Sequence, residues 1–408
     1  TGWLNLIGLI AILASVAYGC ATFLDLTLGT FSQTWLDGYS LKRTFLLFVV
    51  ILAISALINI FSSHLLAVLN NISVWWHVIG AAAVILILFL VPKQHASFSD
   101  VFAKTINNSG MFGGATSGWG WLLFVLPISA ILTQYTITGY DASAHLSEET
   151  KSAANASAKG IWRSIFYSAI GGWILLLSFL FAVQDPDHVS ASGGAVVTIF
   201  NQALPQSMVV LVLFISTAGQ CFCTTACQTS ASRMLFAFSR DRAVPGHQLW
   251  SKVNTNRVPS AAVIVTATLA AIITLPALVE VDINGAPVPV AFFAVVSIGV
   301  VGLYLCFAVP IFLRWRMGDR FEVGRWNLRG HHRWMAPVAV LEIVITSAIA
   351  MFPTSSGGVP WNSGVFEWKY VNYTPLLVGG VLILLWIYWH VSVKHWFTGP
   401  IKQVELAG

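Results

Sequence analysis

Thr138-Gly139-Tyr140-Asp141-Ala142-Ser143-Ala144-His145 closes an apolar run that begins near Trp119 and is long enough to cross a bilayer. A carboxylate at membrane depth is costly and usually faces a protein interior or a watery cavity. Gly139 weakens a helix at the same place. An interrupted span frees backbone carbonyls and amides, and discontinuous spans of this kind build the solute sites of secondary transporters. The chemistry on offer is capture of a polar solute by backbone dipoles, with Asp141 as a titratable group. The structural alternative is a glycine packing contact with Asp141 bonded to a neighbouring helix. The functional reading is preferred, since intramembrane acids rarely lack a role.

Other polar groups carry less. His77 follows Trp75 and Trp76 in the inner half of an apolar run. Its imidazole titrates near neutral pH, yet on its own it reads as an interfacial side chain in an aromatic belt. Glu342, in mid-run, could bind a cation, pair with another helix or line an oligomer contact, and a structural partner is favoured. Asp25 is expected to reach interfacial water. Ser230, Ser232 and the small residues around them permit close helix approach, while Arg240 and Arg242 read as plain basic anchors. Cys223 and Cys227 sit four apart, but no His or third nearby thiol completes a metal site. No HExxH, GxSxG or phosphate-binding Gly-Lys-Ser/Thr loop occurs, so an enzyme is not expected. No cofactor or metal is expected either.

The elements that must position these groups are transmembrane helices. The 408 residues are 57% hydrophobic and 9% charged, against about 25% charged in soluble domains. Ten apolar runs fall near 3–24, 44–61, 72–92, 119–145, 161–183, 206–238, 259–279, 287–313, 334–353 and 373–397. This is an all-α, polytopic helical membrane protein. Lys42, Arg43, Lys93, Lys104 and Lys369 lie on one side of the ten spans, and the other sixteen of the 21 basic residues lie on the opposite side. The richer side is therefore read as cytoplasmic, with both termini there. Topology accounts for the +5 charge, and no nucleic-acid partner is needed. The five cysteines all fall in spans, so no disulfide framework is inferred.

Stretch 93–118 is rich in Gly, Ser and Asn and is expected to be irregular. Ala195–Ala203 has helical spacing of Val196, Val197, Ile199, Phe200 and Ala203. It is expected to lie across the extracellular mouth, either as a gate or as a passive interfacial helix. The opening Thr1-Gly2-Trp3-Leu4 has no Met and no signal-peptide n-region, which points to a preceding portion.

The stretch from Thr138 to His145, followed by Glu148-Glu149-Thr150 and joined by Ser232-Arg233 and Arg240-Asp241 before Pro245, resembles the amino acid/choline transporter branch of the amino acid–polyamine–organocation superfamily. It is most similar to GABA permease-like amino acid permeases, and the resemblance covers essentially the whole chain. It implies a leucine-transporter-like inverted-repeat fold of twelve spans. Thr1-Gly2-Trp3-Leu4-Asn5-Leu6 resembles the start of the third, so this chain corresponds to spans three to twelve. Residues 1–92 would then be the remainder of the first repeat, 119–313 the second, and 334–397 two C-terminal helices, all in one transporter domain. The resemblance also implies that Ile137, Thr138, Gly139, Tyr140 and Asp141 receive the substrate amine, with Tyr135 as an occluding aromatic. His77 falls where some relatives carry a lysine that substitutes for sodium. Thr224 and Thr225 fall near an old sodium-site region.

The expected function is import of a small amino acid or GABA-like zwitterion across the plasma membrane, driven by protons through His77 or Asp141. Choline, a polyamine or another amino acid is the alternative substrate. A membrane sensor or inactive truncated transporter is the alternative of another class. The lipid bilayer, protons and a small amine are the expected partners; oligomeric state is left open.

Overall fold

The computed structural model describes residues 1–61, 63–191, 194–279, 281–283, 286–288 and 290–399. Among them are ten helical stretches long and apolar enough to cross a membrane, one for each apolar run. The helices used below are α1 (Gly2–Gly29), α2 (Leu41–Phe61), α3 (Ser63–Leu90), α4 (Ile131–Ile137), α5 (Ala142–His145), α6 (Ala153–Ala182), α7 (Ala195–Ala203), α8 (Gln206–Arg240), α9 (Ser260–Thr274), α10 (Val290–Met317), α11 (His332–Ala350) and α12 (Thr374–Val391). Several run past the apolar sequence. The helix containing His77 extends back through Asn70 and Asn71, and α6 starts eight residues before its apolar run. Helical hydrogen bonding continues there although hydropathy drops.

The eighth span begins later than expected. Residues 286–288 pair antiparallel with 281–283, in a register that sets Val281 opposite Val288, and the helix starts at Val290.

The core is organised around α1, whose face from Leu6 to Ala21 is almost wholly buried. It packs on α8 and α10, with α2 and α9 alongside. Close approach to α10 needs small residues: a Cβ on Gly8 would lie 2.8 Å from the Leu303 side chain, and one on Gly299 2.9 Å from Ile12. Backbones that close gain dispersion contact, the main attraction between helices in lipid. On the α8 side, Cys20 Sγ and Cys221 Sγ are 3.4 Å apart. Among the described residues no group of three His, Cys, Asp or Glu side chains could hold a metal ion.

Asp25 does not reach interfacial water. Its side chain is 1% exposed and paired with Arg43 at 2.7 Å, and it accepts hydrogen bonds from Trp35 Nε1 and Thr44 Oγ1. A buried carboxylate is retained only when it is paired and hydrogen-bonded, and this one staples the 30–40 connection to α1 and α2. Ala195–Ala203 is helical as its spacing requires, and it buries Ile199 and Phe200 against Val84, Leu88 and Val209. The 93–118 connection is less irregular than expected. Phe98–Phe102 forms a short helix whose Ser97 and Asp100 make a reciprocal capping box.

Candidate functional site

The fourth span is broken more than once. A π-helical turn at Trp121–Val125 leads into Leu126–Ser129, where Pro127 supplies no N–H to the ladder. α4 follows and ends at Ile137, and α5 resumes at Ala142. Between them Thr138 is extended (φ −65°, ψ 140°) and Gly139 has φ +93°. Among the described residues, and apart from its two chain neighbours, no heavy atom lies within 4 Å of a Cβ placed on Gly139, so open space adjoins the break. The glycine is required there by backbone conformation, not by crowding. Ile137 and Tyr140 flank the break half-buried, and the Tyr140 ring packs on Phe307 at 5.1 Å. The Thr138 hydroxyl donates back to Gln134 O at 2.7 Å.

Asp141 is buried and lies 3.0 Å from His145 Nε2 through Oδ2. Among the described residues its Oδ1 is buried with no hydrogen-bond partner, which is expensive unless a bound solute or a proton satisfies it. The surrounding helices brace the break. Ser143 and Ser157 exchange hydroxyl-to-carbonyl bonds of 3.1 and 3.0 Å with α6. Tyr135 Oη is 2.8 Å from Ser15 Oγ of α1. Gln134 donates to Glu342 of α11 at 2.8 Å, which supplies the structural partner expected for that acid.

The coupling candidates have separate surroundings. His77 is exposed, its Nδ1 is 2.7 Å from Ser73 O, and its ring lies beside Gly219 of α8. Thr224 and Thr225 are buried, but their hydroxyls donate to Gln220 O and Cys221 O of their own helix. Back-bonded hydroxyls of this kind have already used their one proton.

Two constellations exceeded what the sequence disclosed. Asn59 of α2 donates to Ser55 O and Thr225 O and accepts from Thr229 Oγ1, all buried. Beyond α5, the turn Ser147–Glu149 carries two ion pairs to α8: Glu149 to Arg233 Nε at 3.0 Å, and Glu148 to Arg240 Nη1 at 2.7 Å. Arg240 is thus more than a basic anchor. Its hydrogen bonds hold the Glu148 carboxyl below the usual carboxylate range. The residue types were visible in the sequence, but pairings across 84 and 92 positions left no periodic signal. Glu148, Glu149 and Arg233 border a cavity of about 840 Å³ at the basic end of the molecule, lined also by His64, Asn70 and His145. The break and the cavity are joined by α5, since Asp141 and His145 stand at its two ends.

The sequence profile of the amino acid permease family matches residues 1–393. The chain belongs to that family. It is 33% identical to the amino-acid permease BAT1 of Arabidopsis thaliana over 99% of this chain and 77% of that protein. It is 32% identical to the BAT1 homolog of Oryza sativa subsp. japonica, over 99% and 76%. A Candida albicans protein, provisionally named a polyamine transporter, is 23% identical over 99% and 71%. This permease is therefore a multi-pass membrane transporter of amino acids or amines and not an enzyme.

Proposed function

We propose that this permease is a proton-coupled importer of a small amino acid or GABA-like zwitterion in the plasma membrane, with its basic face and both termini in the cytoplasm. The observation that carries the proposal is the break at Thr138–Asp141, where a left-handed glycine adjoins open space and a buried carboxylate oxygen lacks a partner. Carbonyls released by the break and the free Asp141 oxygen suit an ammonium group, which offers three N–H donors and no acceptor. Residues 1–92 serve as the remainder of the first repeat, 119–313 as the second, and 334–397 as two C-terminal helices.

Asp141 is preferred to His77 as the proton carrier. A group couples a proton to a conformational equilibrium only if its proton affinity differs between the two states. Asp141 sits in the break itself, where solute arrival would change its surroundings. His77 and Thr224–Thr225 are kept as secondary coupling candidates on the α3–α8 side. Because a lone buried carboxylate also suits a cation without a carboxylate, a polyamine or choline is the second reading.

Uptake by the full reading frame in proteoliposomes separates these readings. GABA, glycine, alanine, putrescine and choline are each offered with and without an inward proton gradient. Accumulation of a zwitterion that collapses with a protonophore is the expected result. Accumulation of putrescine or choline alone would move the assignment to amines, and gradient-independent uptake would remove the proton.

A further inference from the structure

The wall of the 840 Å³ cavity at the basic end contains an ion pair of unequal halves. The Arg233 side chain is 5% exposed, whereas that of its partner Glu149 is 45% exposed. The guanidinium is fixed by α8, and the carboxylate sits on a short turn open to the cavity. Among the described residues Arg233 makes only two hydrogen bonds, Nε to Glu149 and Nη1 to Ser232 Oγ at 3.4 Å. A guanidinium has five N–H donors in a fork that fits a carboxylate in bidentate fashion, so most of this fork is unspent at the cavity wall.

We propose that Arg233 is the centre of a second, cytoplasm-facing subsite that takes the carboxylate of the transported amino acid in exchange for Glu149. The proposal rests on the zwitterion reading above. Glu149 is chemically a carboxylate on a tether, so it occupies the subsite when the cavity is empty of solute. Removing Glu149 alone would leave a nearly buried cation without a counter-ion, a costly state. An arriving carboxylate meets that cost, and the opened turn lies directly beyond α5, which leads down from the break. Glu149 is thus a competitor for the subsite, and Arg233 its binding residue.

The experiment reads occupancy without requiring transport. Ala67, exposed on the cavity wall, is replaced by cysteine in the full chain. Labelling by a membrane-impermeant maleimide is followed from the basic face of oriented vesicles, with the unsubstituted chain as background. Butyrate, GABA and n-butylamine are the protecting probes. Butyrate and GABA should slow labelling, and n-butylamine should not. Glu149→Gln should lower the half-protecting concentration about tenfold, and Arg233→Gln should raise it at least about tenfold, within the range for breaking a desolvated charge contact. Arg233→Lys, which keeps the charge and loses the fork, is the companion variant should Arg233→Gln fail to reach the membrane; it should weaken protection in the same direction. A pair that only holds the fold predicts that Glu149→Gln and Arg233→Gln shift protection the same way. That result, or no protection by butyrate, overturns the proposal. Should butyrate protect as described while no zwitterion is transported, the carboxylate site stands and the substrate reading falls.

Discussion

Asp141 and His145 are joined through one carboxylate oxygen at 3.0 Å, while the other oxygen of Asp141 is buried and unclaimed. One half of this acid belongs to the architecture of α5, and the other half is available to a solute or a proton. Asp141→Asn keeps the shape and the contact to His145 but removes the charge. The expected outcome is loss of proton-driven accumulation with exchange of substrate across the membrane retained. His77→Ala, measured beside it, is expected to keep the wild-type pH profile of uptake. A flat profile in His77→Ala with a normal one in Asp141→Asn would transfer the coupling to α3.

Gly139 yields a second prediction. Its φ of +93° lies in a region that costs an L-residue about 1–2 kcal/mol, while the space beside it is open. Gly139→Ala and Gly139→Val should therefore fail through backbone strain, with Val worse, and Gly139→Asn should keep part of the activity because Asn visits left-handed conformations more readily. Initial uptake rates normalised to surface abundance check the order Gly, Asn, Ala, Val. Equal activity of Asn and Val would show that the conformation is not needed for transport.

The Glu148–Arg240 pair predicts a particular acid sensitivity. Arg240 holds Glu148 below its usual value near 4.5. A depressed carboxylate contributes stability above its unfolded pKa and loses it as pH falls through the folded value. Between pH 6 and 8 the contribution is therefore constant, and below about 4.5 it declines. Glu148→Gln should remove part of the fall in Tm of the purified protein between pH 5 and 3 and leave the pH dependence of uptake from 6 to 8 unchanged. An altered uptake profile in that neutral window would contradict this assignment.

Arg43→Gln should destabilise the protein more than its surface position suggests. The substitution leaves the Asp25 carboxylate buried without its cation, and breaking a buried pair from one side costs about 3 kcal/mol. Asp25→Asn with Arg43→Gln should recover much of the loss, because the buried charge is then gone. Thermal unfolding of the two variants in detergent decides it: equal Tm values would mean that the pair contributes only packing.

Orientation is open to a direct check. Ser99 and Thr255 are both exposed and lie on opposite sides of the ten-span arrangement. In whole cells, a cysteine at Ser99 should react with an impermeant thiol reagent and one at Thr255 should react only after permeabilisation. The opposite pattern would place the basic face and both termini outside.

The ten spans were legible in the sequence because lipid demands long apolar runs and satisfied backbones, and those demands act on neighbouring residues. The break at Gly139 was legible for the same reason, as a local conflict between a glycine, a carboxylate and an apolar run. The discontinuity after Ser129 was less so, although Pro127 marked it. The burial of Asp25 is not legible in the sequence, because it depends on Arg43, Trp35 and Thr44, brought to it only when the 30–40 connection folds back. Tyr135 and Ser15 stand 120 positions apart, and no periodicity encodes their contact. Polar pairing between helices is a property of the assembled bundle, so the half of the candidate site made from such pairs had to be seen in three dimensions.

Arg233 and Arg240 are seven residues apart, about two turns and 10 Å along one stripe of α8. Their partners Glu148 and Glu149 are adjacent in sequence. Two neighbouring carboxylates stretched to anchors so far apart fix both the height and the rotational setting of the turn that carries them. A hinge with one pin lets its leaf swivel, whereas two pins make leaf and post turn together. While both pairs hold, a roll of α8 about its axis would pull on the turn and so on α5, which begins beside Gly139. Releasing Glu149 alone leaves one pin at Glu148, and the lower end of the broken span is then held by that pin and by the Ser143–Ser157 bonds to α6.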